Sequence, residues 1–486
     1  MTRYKAVPII QSLPKTLSPV EVCEVLHNDP FCFFLDSGID HNRLGRYSFV
    51  GSDPFLVFKS QGGGNEVRRG NSIELLKGNP FDILKNLLSK YRLITPPDLP
   101  PFMGGAVGYF AYDLKHFVEK LPSQSKDDTN IPLCYLAFYD TVMIFDHLKG
   151  KVWIASTGLP EESERLKRIK AETRLNEFSH KLSTIKKSTT SSPPTLPKQG
   201  VIELKSNFTK EEYIRAILKA KEYIAAGDIY QVNLSQRFSA RIATPPFALY
   251  KILRTLNPAP FAAYLNFGGI TMISSSPERF LRISGRSVET RPIKGTRPRG
   301  EGKVEDERFK NELLKSTKDR AELVMIVDLE RNDLGRVCEY GTVRVPEVIT
   351  LETYATVFHL VSTITGKLKA DKDHIDCIKA CFPGGSITGA PKIRSMEIID
   401  ELEPTQRKVY TGSIGYLGFN QQTDLNIVIR TMLYCDDTVH FQVGGGIVAD
   451  SDPTLEYEET LHKGRALMET LYQAGEVVVQ PSKAII

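Results

Sequence analysis

Arg291-Pro-Ile-Lys-Gly-Thr-Arg-Pro-Arg299 is the stretch from which the rest of the chain is best interpreted, because of the lysine at its centre. Lys294 is flanked by proline and glycine, so neither a helical nor a strand pattern explains its position. Sixteen residues earlier is Glu278, within Ser275-Ser-Pro-Glu-Arg-Phe280. A lysine with a lowered pKa can act as a nucleophile, and a nearby carboxyl group can act as a general acid. The alternative is a solvated lysine on the rim of a hairpin.

The composition is that of an ordinary globular protein. The chain has 486 residues, of which 41% are apolar and 25% charged, enough for two or three domains or one large interleaved one. The net charge is only +5 and no block of lysine and arginine dominates, so we expect no nucleic-acid partner. The basic residues of the 291–299 stretch are better suited to a small acidic ligand.

The cysteines and the amino terminus predict a cytoplasmic protein. The seven cysteines are scattered, and the close pair Cys377 and Cys381 has His374 nearby but no second pair to complete a zinc site. We therefore expect reduced structural thiols. The amino terminus has no apolar signal core, and no run approaches the ~18 apolar residues of a membrane span. We expect a soluble protein with no membrane association.

The first part of the chain is predicted to be rich in β-strands. Short apolar runs at 31–35, 47–50 and 135–139 are bounded by Gly, Asp and Asn. Residues 160–182 are charged with helical spacing, whereas 186–198 is too rich in Ser, Thr and Pro to order itself by burial. The predicted division is an N-terminal β-rich segment at 1–155, a charged helix and linker at 156–200, a catalytic domain at 201–475 and a C-terminal tail at 476–486.

The second part alternates helices and strands. Thr209, with Glu212 three residues later, has the spacing of a capping box and predicts a helix that runs to Gly227. A strand is predicted at 229–235. Further strands are predicted near 262–266, 271–275, 280–290, 342–345 and 440–447, and helices near 306–331, 371–381, 391–401 and 454–474. There is no repeat and no βαβ rhythm, so we expect a mixed α and β protein with large antiparallel sheets.

Two pairs of carboxylates have helical spacing. Asp319 and Glu322 form one pair, and Glu456 and Glu459 form the other, each at i and i+3 on one helix face. Two acidic faces that meet across a cavity would repel each other unless a cation lay between them. Ligands that are all oxygen suit Mg²⁺. The alternative is that each pair is a solvated helix face.

Several other segments could bind an anion. Gly444–Gly446 interrupts a predicted strand and could offer backbone N–H donors. The loop 382–392 ends in Lys392 at a predicted helix start, where anions bind. Arg430 ends a predicted apolar strand at 424–430 and could hold a carboxylate with two hydrogen bonds, or form a salt bridge on the rim. His359 lies in an apolar run and by itself is more typical of a core histidine.

Taken together, these segments resemble the chorismate-utilising enzymes. The matching motifs occur in the family's order over about 200–465, and the N-terminal segment matches through Leu35-Asp-Ser-Gly38 and Gly45-Arg-Tyr-Ser-Phe49. The principal motifs are Gly227-Asp-Ile-Tyr-Gln-Val-Asn-Leu-Ser-Gln-Arg237, Ser275-Ser-Pro-Glu-Arg-Phe280, Pro292-Ile-Lys-Gly-Thr296, Val327-Asp-Leu-Glu-Arg-Asn-Asp-Leu-Gly335, Gly384-Gly-Ser-Ile-Thr-Gly-Ala-Pro-Lys392, Ile429-Arg-Thr431, Gly444-Gly-Gly-Ile447 and Glu456-Tyr-Glu-Glu-Thr460.

The resemblance implies an α+β fold, in which two large, mainly antiparallel sheets pack as a sandwich with helices outside. It also implies an aminating enzyme, because family members that use water carry a lysine base where this chain has Gln231. Members that make anthranilate carry alanine where this chain has Lys294. A lysine there implies conversion of chorismate and ammonia to 4-amino-4-deoxychorismate. No glutaminase nucleophile is visible, so a separate glutamine amidotransferase subunit is expected.

The resemblance assigns roles to individual residues. Lys294 is the expected nucleophile and Glu278 the general acid, with His359 nearby. Mg²⁺ is the expected cofactor, with Glu322 and Glu459 as ligands and Asp319 and Glu456 in support. The expected substrate contacts are Arg430, Tyr410, Gly444, Gly445, Gly446, Glu289, Thr290, Thr296, Lys392 and Gln231. Some relatives have a tryptophan pocket, which would correspond here to Ser37, Pro260 and Phe261.

Two other interpretations remain open from the sequence. The first is an enzyme of the same fold that aminates chorismate in the ortho position and makes anthranilate; Lys294 speaks against it. The second is a non-catalytic binding or regulatory homologue. Retention of Lys294, Glu278 and both expected metal ligands speaks against that interpretation.

Overall fold

A computed structural model describes residues 4–96, 98–183, 185, 199–354 and 357–480. The predicted linker at 186–198 lies outside the described residues. The α-helices in the described part are α1 (Pro19–Leu26), α2 (Pro80–Ser89), α3 (Glu164–Leu182), α4 (Lys210–Ala225), α5 (Pro246–Leu256), α6 (Lys303–Lys315), α7 (Thr317–Val337), α8 (His374–Cys381), α9 (Lys392–Leu402) and α10 (Pro453–Ala474).

The strands are numbered in chain order. They are β1 (Tyr4–Ala6), β2 (Ile9–Leu13), β3 (Cys32–Asp36), β4 (Tyr47–Gly51), β5 (Leu56–Gln61), β6 (Gly64–Arg69), β7 (Ser72–Leu76), β8 (Tyr91–Leu93), β9 (Gly105–Phe110), β10 (Cys134–Tyr139), β11 (Thr141–Asp146), β12 (Lys151–Ser156), β13 (Gln199–Ser206), β14 (Gln231–Arg241), β15 (Phe261–Asn266), β16 (Ile270–Ser276), β17 (Arg279–Ser284), β18 (Ser287–Arg291), β19 (Ile293–Pro298), β20 (Arg344–Thr353), β21 (Val357–Lys367), β22 (Gly389–Ala390), β23 (Ser413–Gly418), β24 (Gln422–Asn426), β25 (Thr431–Cys435), β26 (Thr438–Ile447) and β27 (Gly475–Gln480).

Two large sheets make up the fold of the described residues. One has the order β19-β21-β18-β17-β24-β23-β9-β10-β5-β6-β7, with β20 beside β21, and the other has the order β2-β12-β11-β4-β3-β15-β16-β25-β26-β14-β13-β27, with β22 beside β14. Their pairings are antiparallel except for β13 with β27. Both sheets join strands from 1–155 to strands from the second part, as where β9 pairs with β23 and β3 with β15. The two predicted segments therefore interleave.

Strand β3 shows how the sheets and helices are layered. Phe33 and Phe34 point to opposite faces, as successive strand residues do. Phe33 lies in the core between the sheets, with its ring centroid 4.5 Å from that of Tyr139 in the other sheet. Phe34 packs on the outer face, 5.7 Å from the ring of Tyr250 in α5. The predicted α+β sandwich with helices outside is confirmed.

Several predicted helices are confirmed with their ends. Thr209 Oγ1 accepts a hydrogen bond from the Glu212 backbone N–H at 3.1 Å, and the Glu212 carboxylate accepts one from the Thr209 N–H at 2.7 Å. This capping box satisfies two backbone donors at the start of α4. The helices predicted near 371–381, 391–401 and 454–474 are α8, α9 and α10. Within the described residues, no helix has the length and apolar character that a membrane crossing requires.

Two predicted elements are each divided in the structure. The strand predicted at 280–290 is the hairpin β17–β18, because Gly285 adopts a φ of 58° and turns the chain. The helix predicted at 306–331 is broken at Ser316, which has a ψ of 107° and accepts a hydrogen bond from the Asp319 N–H at 3.2 Å. Helix α7 therefore starts at Thr317, and Asp319 and Glu322 lie in its first two turns.

Other predicted boundaries were wrong. Arg430 does not end a strand at 424–430 but lies between β24 and β25, with a φ of 49°. Gly444–Gly446 does not interrupt β26, because these glycines are extended and pair in register with β14. The predicted strand at 229–235 is β14, which starts at Gln231 and runs further, to Arg241. The predicted C-terminal tail begins as β27, which pairs in parallel with β13.

Candidate active site

Lys294 lies on β19, opposite the start of α7. The pairing of β19 with β21 shifts register between Lys294 and Thr296, where Gly295 forms a bulge with a φ of 74°. A Cβ at Gly295 would lie 2.9 Å from the Cβ of Asp319. Glycine is therefore required both for this backbone conformation and for the close approach of α7. The bulge brings Lys294 to the acidic first turns of that helix.

The amine of Lys294 lies in a mixed-charge environment. Burial lowers its pKa, and the carboxylates of Glu322 and Glu278 oppose this effect. The ammonium group of Lys463, on α10, lowers the pKa further. A lowered pKa increases the neutral fraction of the amine near neutral pH, as a nucleophile requires.

The arginines of the 291–299 stretch form ion pairs with carboxylates of the protein itself. They pair as Arg291 with Glu352, Arg297 with Asp319 and Arg299 with Asp306. The prediction that this basic group as a whole suits an acidic ligand is therefore wrong for the arginines. Lys294, in contrast, interacts electrostatically with Glu322 and Glu278.

Glu278 is buried beside Lys294, with 4% of its surface exposed. Its carboxylate accepts a hydrogen bond from the backbone N–H of Ile293 at 3.4 Å. Burial raises the pKa of Glu278, while Lys294 and Arg430 act to lower it. A carboxyl group that holds its proton more readily than usual, near an amine with a lowered pKa, has the properties that a general acid needs.

His359 is a neutral, buried histidine. Its Nδ1 lies 2.8 Å from Thr296 Oγ1, on the residue directly opposite in β19. Burial, with a further contribution from Arg430, lowers the pKa of His359 to about 3. His359 is therefore uncharged at neutral pH and fixes the strand that carries Lys294, in agreement with the core interpretation.

Helix α10 presents its two predicted carboxylates to strand β26. A Cβ at Gly445 would lie 3.3 Å from Glu456 Oε2 and 3.9 Å from Glu459 Oε1, so both carboxylates face this glycine. Lys463, one helical turn after Glu459, forms an ion pair with it at 2.7 Å and donates to the Gly444 carbonyl at 3.1 Å. The i, i+3 pair therefore does share one face, as predicted.

Helix α7 meets this group from the other side. Lys318 Nζ lies 3.4 Å from Glu456 Oε1. Burial raises the pKa of Glu322, while Lys294 and Lys318 act to lower it. Asp319 is held by Arg297. The two acidic helices thus converge, with lysines between their carboxylates.

The chemistry of this junction fits Mg²⁺, because all of its acidic donors are carboxylate oxygens. Glu322 comes from α7, and Glu456 and Glu459 come from α10. Asp319 is the least available, since Arg297 already binds it. In the part of the chain that the structure describes, no three Asp, Glu, His or Cys side chains are arranged to hold a metal ion. Glu456 and Glu459 are paired with Lys318 and Lys463 instead.

Arg430 lies close to Glu278, with a backbone conformation uncommon for a residue other than glycine. Its guanidinium makes one long hydrogen bond, of 3.5 Å, to Asn257 Oδ1. Burial lowers the pKa of Arg430, and Glu278 acts against this. The ring centroid of Tyr410 lies 5.6 Å from the guanidinium of Arg407, and burial raises the pKa of Tyr410.

Gln231 lies over the glycines of β26. A Cβ at Gly446 would come within 2.0 Å of Gln231 Nε2, so the amide occupies space that only glycine leaves open. Gln231 is 1% exposed, and neither its Nε2 nor its Oε1 has a hydrogen-bond partner among the described residues. Such a buried amide has donor and acceptor capacity for a small ligand.

Two predicted substrate residues are engaged elsewhere. Glu289 forms an ion pair with Arg279 at 2.8 Å, on the face of β18 opposite to that of Thr290. Lys392 donates to Asp333 at 2.5 Å and to the carbonyls of Pro383 and Cys381. These three acceptors use all three donors of the ammonium group, so Lys392 ties a loop to α7 and has none left for a ligand.

Sequence reasoning missed three charged residues near the site. Lys463 and Lys318 neutralise the predicted metal ligands, and the i, i+4 spacing of Glu459 and Lys463 could have indicated the first. Glu330 is 7% exposed and accepts a hydrogen bond from Thr290 Oγ1 at 2.9 Å. Burial raises the pKa of Glu330 to about 8. No sequence signal distinguished Glu330 from the neighbouring acidic residues.

A cavity of about 270 Å³ lies apart from Lys294 and brings together the residues predicted for a tryptophan pocket. Ser37, Pro260 and Phe261 all line it, as does Arg279. The Ser37 hydroxyl donates to the Tyr47 carbonyl at 2.7 Å and so ties two walls together. Binding of tryptophan in this cavity stays a prediction.

Known proteins resemble this chain in both sequence and fold. The sequence matches the family described as chorismate binding enzyme over residues 31–469. The chain belongs to the chorismate-binding enzymes. It is 41% identical over 478 residues to anthranilate synthase component 1 of Acetivibrio thermocellus, covering 98% of this chain and 97% of the relative. It is 40% identical over 438 residues to aminodeoxychorismate synthase component 1 of Bacillus subtilis strain 168, covering 90% and 92%. Such similar identities do not separate the two activities.

Solved structures of related enzymes have the same fold as this chain. Anthranilate synthase component I from Streptococcus pneumoniae TIGR4 superimposes with a TM-score of 0.77 at 32% identity, covering 88% of this chain and 93% of that one. The menaquinone-specific isochorismate synthase of Escherichia coli superimposes with a TM-score of 0.71 at 19% identity, covering 97% and 96%. The second comparison shows the fold alone. The chorismate-binding enzyme is thus a two-sheet sandwich in which the buried Glu278 interacts electrostatically with the half-buried Lys294.

Proposed function

We propose that the protein is component I of an aminodeoxychorismate synthase. It would convert chorismate and ammonia to 4-amino-4-deoxychorismate, for the synthesis of p-aminobenzoate and folate. The observation that carries the proposal is the half-buried amine of Lys294, whose pKa is lowered by burial and whose charge interacts with Glu322 and Glu278. The resemblance associates a lysine at this position with amination at C4 and an alanine with formation of anthranilate.

The position of the new nitrogen follows from two allylic shifts. The neutral amine of Lys294 attacks C2 of chorismate, the double bonds shift, and the C4 hydroxyl leaves. Ammonia then attacks C4, the double bonds shift back, and the bond from C2 to Lys294 breaks. Direct attack by ammonia at C2 would place nitrogen ortho to the carboxylate. Over the whole reaction, ammonia adds and water leaves.

Protein groups support both steps. Glu278 protonates the departing hydroxyl, which leaves as water. Arg430, whose guanidinium makes a single long hydrogen bond among the described residues, is suited to a substrate carboxylate. Gln231, whose amide has no partner among the described residues, is suited to hydrogen-bond the incoming ammonia.

Mg²⁺ is the cofactor that we propose, held by Glu322 and Glu459 with support from Glu456 and Asp319. When bound, it would supply positive charge to a substrate carboxylate at the junction of α7 and α10. Lys463 and Lys318, which pair with Glu459 and Glu456, would then be displaced or shared.

Anthranilate synthase component I is the second candidate function. The relative from Acetivibrio thermocellus, with 41% identity, favours it. The two candidates differ in product, so one experiment separates them. Chorismate, Mg²⁺ and an ammonium salt are incubated with the protein, and the product is identified by chromatography and mass spectrometry. 4-Amino-4-deoxychorismate supports the proposal, anthranilate supports the alternative, and the absence of any product supports a non-catalytic homologue.

The nitrogen source gives a first prediction. We expect the pure chain to use ammonium but not glutamine, because no glutaminase nucleophile is visible in the sequence. A separate glutamine amidotransferase subunit should confer use of glutamine. The measurement is amine formation with each nitrogen source, before and after this subunit is added. Sustained turnover of glutamine by the single chain would contradict the prediction.

Glu278→Gln gives a second prediction. We expect kcat to fall by ~10²–10⁴-fold, the usual range for loss of a general acid. Because burial raises the pKa of Glu278, the group stays protonated to a higher pH than an ordinary glutamate, and activity should fall as pH rises through that pKa. The measurement is the pH profile of kcat for both proteins, and Glu278→Gln should lack this alkaline limb.

A matched control for Glu278→Gln is Glu289→Gln, whose carboxylate is bound to Arg279. It should change kcat far less. An unaltered pH profile in Glu278→Gln, with the fold intact by circular dichroism, would rule out the proposed acid.

A further inference from the structure

The ammonium group of Lys463 lies among carboxylates that we propose as metal ligands. Its Nζ is 2.7 Å from Glu459 Oε1, and it donates to the Gly444 carbonyl at 3.1 Å. A Cβ built at Gly445 would lie 3.6 Å from this Nζ. The same Cβ would lie 3.3 Å from Glu456 Oε2 and 3.9 Å from Glu459 Oε1. The ammonium group and the two carboxylates therefore surround one point beside β26.

Lys318 brings a second ammonium group to these carboxylates from α7. Its Nζ is 3.4 Å from Glu456 Oε1, an oxygen that also accepts a hydrogen bond from Ser451 Oγ at 2.7 Å. Glu456 is 5% exposed, whereas the side chains of Lys318 and Lys463 are 51% and 43% exposed. Glu456 is therefore fixed by its surroundings, while either lysine can turn into solvent without disturbing the core.

A metal ion and the lysines compete for the same oxygens. Mg²⁺ binds oxygen at ~2.1 Å, and the Lys463 nitrogen already contacts Glu459 Oε1 at 2.7 Å. A divalent cation is also repelled by each ammonium group, and unit charges a few ångströms apart at a protein surface change a binding constant by about fivefold or more. Lys463 is the stronger competitor of the two lysines, because its ion pair is shorter and the Gly444 carbonyl also holds it.

We propose that Lys463 is a built-in counter-ion that Mg²⁺ must displace from Glu459, so that the free protein binds the metal more weakly than its carboxylates alone would. This inference rests on the proposed function, because it concerns the magnesium site of that function. The displaced ammonium group would stay beside the Gly444–Gly446 backbone, where we expect a substrate carboxylate. Chorismate should therefore favour the release of Lys463 and tighten Mg²⁺ binding, and by linkage Mg²⁺ should tighten chorismate binding.

Two variants separate displacement of Lys463 from a general effect of charge. Lys463→Gln removes the positive charge and keeps a polar side chain. Arg465→Gln is the matched control, because it removes the same charge from an exposed position of α10 two residues later. Mg²⁺ binding to each ligand-free protein is measured by isothermal titration calorimetry at one ionic strength, with neither chorismate nor ammonium present. Melting temperatures verify that each variant is folded.

We expect the Kd for Mg²⁺ to be about fivefold or more lower in Lys463→Gln than in the parent protein. Arg465→Gln should stay within twofold of the parent value. A Kd for Lys463→Gln that is within twofold of the parent value, or higher, would overturn the counter-ion. Equal tightening in both variants would also overturn it, because the effect would then belong to the charge of the helix as a whole.

A second measurement follows Lys463 itself in the parent protein. Acetic anhydride acetylates accessible amines, and peptide mass spectrometry gives the extent of acetylation at each lysine. Mg²⁺ should increase the acetylation of Lys463, because displacement from Glu459 frees its amine. Lys219 is the control, since it is similarly exposed and pairs with Glu222 within α4 at 2.8 Å. Acetylation of Lys463 that stays constant up to saturating Mg²⁺ would contradict its displacement.

The product assay keeps this inference separate from the proposed function. If the parent protein makes 4-amino-4-deoxychorismate and Lys463→Gln binds Mg²⁺ no more tightly, the counter-ion is wrong and the proposed function stands. If Lys463→Gln binds Mg²⁺ more tightly and the parent protein makes anthranilate, the counter-ion stands and the proposed function is wrong. If no Mg²⁺ binds to either protein and no amine forms, both are wrong.

Discussion

Lys294→Ala is expected to lose the covalent adduct that the parent protein forms with chorismate. In the absence of ammonia, the group left after attack at C2, which is chorismate less one water, should remain attached to Lys294, and peptide mass spectrometry after trapping should locate it. The variant should also lose 4-amino-4-deoxychorismate formation by ~10³-fold or more, as is typical when a nucleophile is removed. Any residual reaction should shift toward the ortho product, because ammonia would then attack C2 directly.

The physical basis of this prediction is the lowered pKa of Lys294. Burial is its main cause, and it outweighs the opposite effects of Glu322 and Glu278. An ordinary lysine, with a pKa of about 10.4, would be almost entirely protonated near neutral pH and unable to attack. Activity should therefore rise with pH as Lys294 loses its proton, and this rise should begin below the pH expected for an ordinary lysine.

The same pKa shift gives a stability control. The folded protein holds the Lys294 proton less tightly than the unfolded chain does, so the residue lowers stability at every pH below the unfolded pKa of about 10.4. Lys294→Met keeps the side-chain volume and removes this cost. Its melting temperature at pH 7 should be no lower than that of the parent.

An undiminished rate of 4-amino-4-deoxychorismate formation by Lys294→Ala would make Lys294 an electrostatic contact and not a nucleophile.

The second large effect is expected for Glu322→Gln and Glu459→Gln. Each change keeps the shape of the side chain and removes a charged oxygen ligand, so we expect turnover to fall by ~10²-fold or more and the Mg²⁺ requirement to rise. Mg²⁺ binding is measured by isothermal titration calorimetry, with and without chorismate. Activity is measured over a range of Mg²⁺ concentrations and in excess chelator.

Neighbouring carboxylates provide matched controls for these ligands. Glu458→Gln is next to Glu459 on the exposed side of α10, and Asp328→Asn removes an exposed carboxylate of α7 that pairs only with Arg331 in that helix. Both controls should retain the activity and metal requirement of the parent protein. Full activity of the parent in excess chelator, or of Glu459→Gln at low Mg²⁺, would contradict the proposed metal site.

Local patterns in the sequence were sufficient for several features. The capping box of Thr209 and Glu212 places the start of α4 correctly, because it depends on residues within one turn. The shared face of Glu456 and Glu459 follows from helical periodicity alone. The order of motifs identified the family, and with it the two-sheet sandwich, because each motif is a short contiguous stretch.

Features that depend on distant chain segments were decided by the tertiary structure. Ser316, a residue type favoured at helix starts, accepts a hydrogen bond from the Asp319 N–H, ends the predicted long helix and places Glu322 near the start of α7. The predicted strand to Arg430 fails because the chain turns there, at a positive φ, to sit beside Glu278. That turn depends on what packs against the segment, whereas the cap at Ser316 is a local signal that the predicted long helix overlooked.

The sequence by itself thus determined the family, the main secondary structure and the presence of Lys294, Glu278 and the acidic pairs, because these depend on residue identity and short-range spacing. The tertiary structure decided which charges meet. Thr290 and Glu289 are adjacent in sequence, yet Thr290 bonds to Glu330 and Glu289 pairs with Arg279. The packing of the helices also brings Lys463 to Glu459, a predicted metal ligand. The physical reason is that burial and charge proximity set a pKa, and both arise only when α7, α10 and β19 pack together.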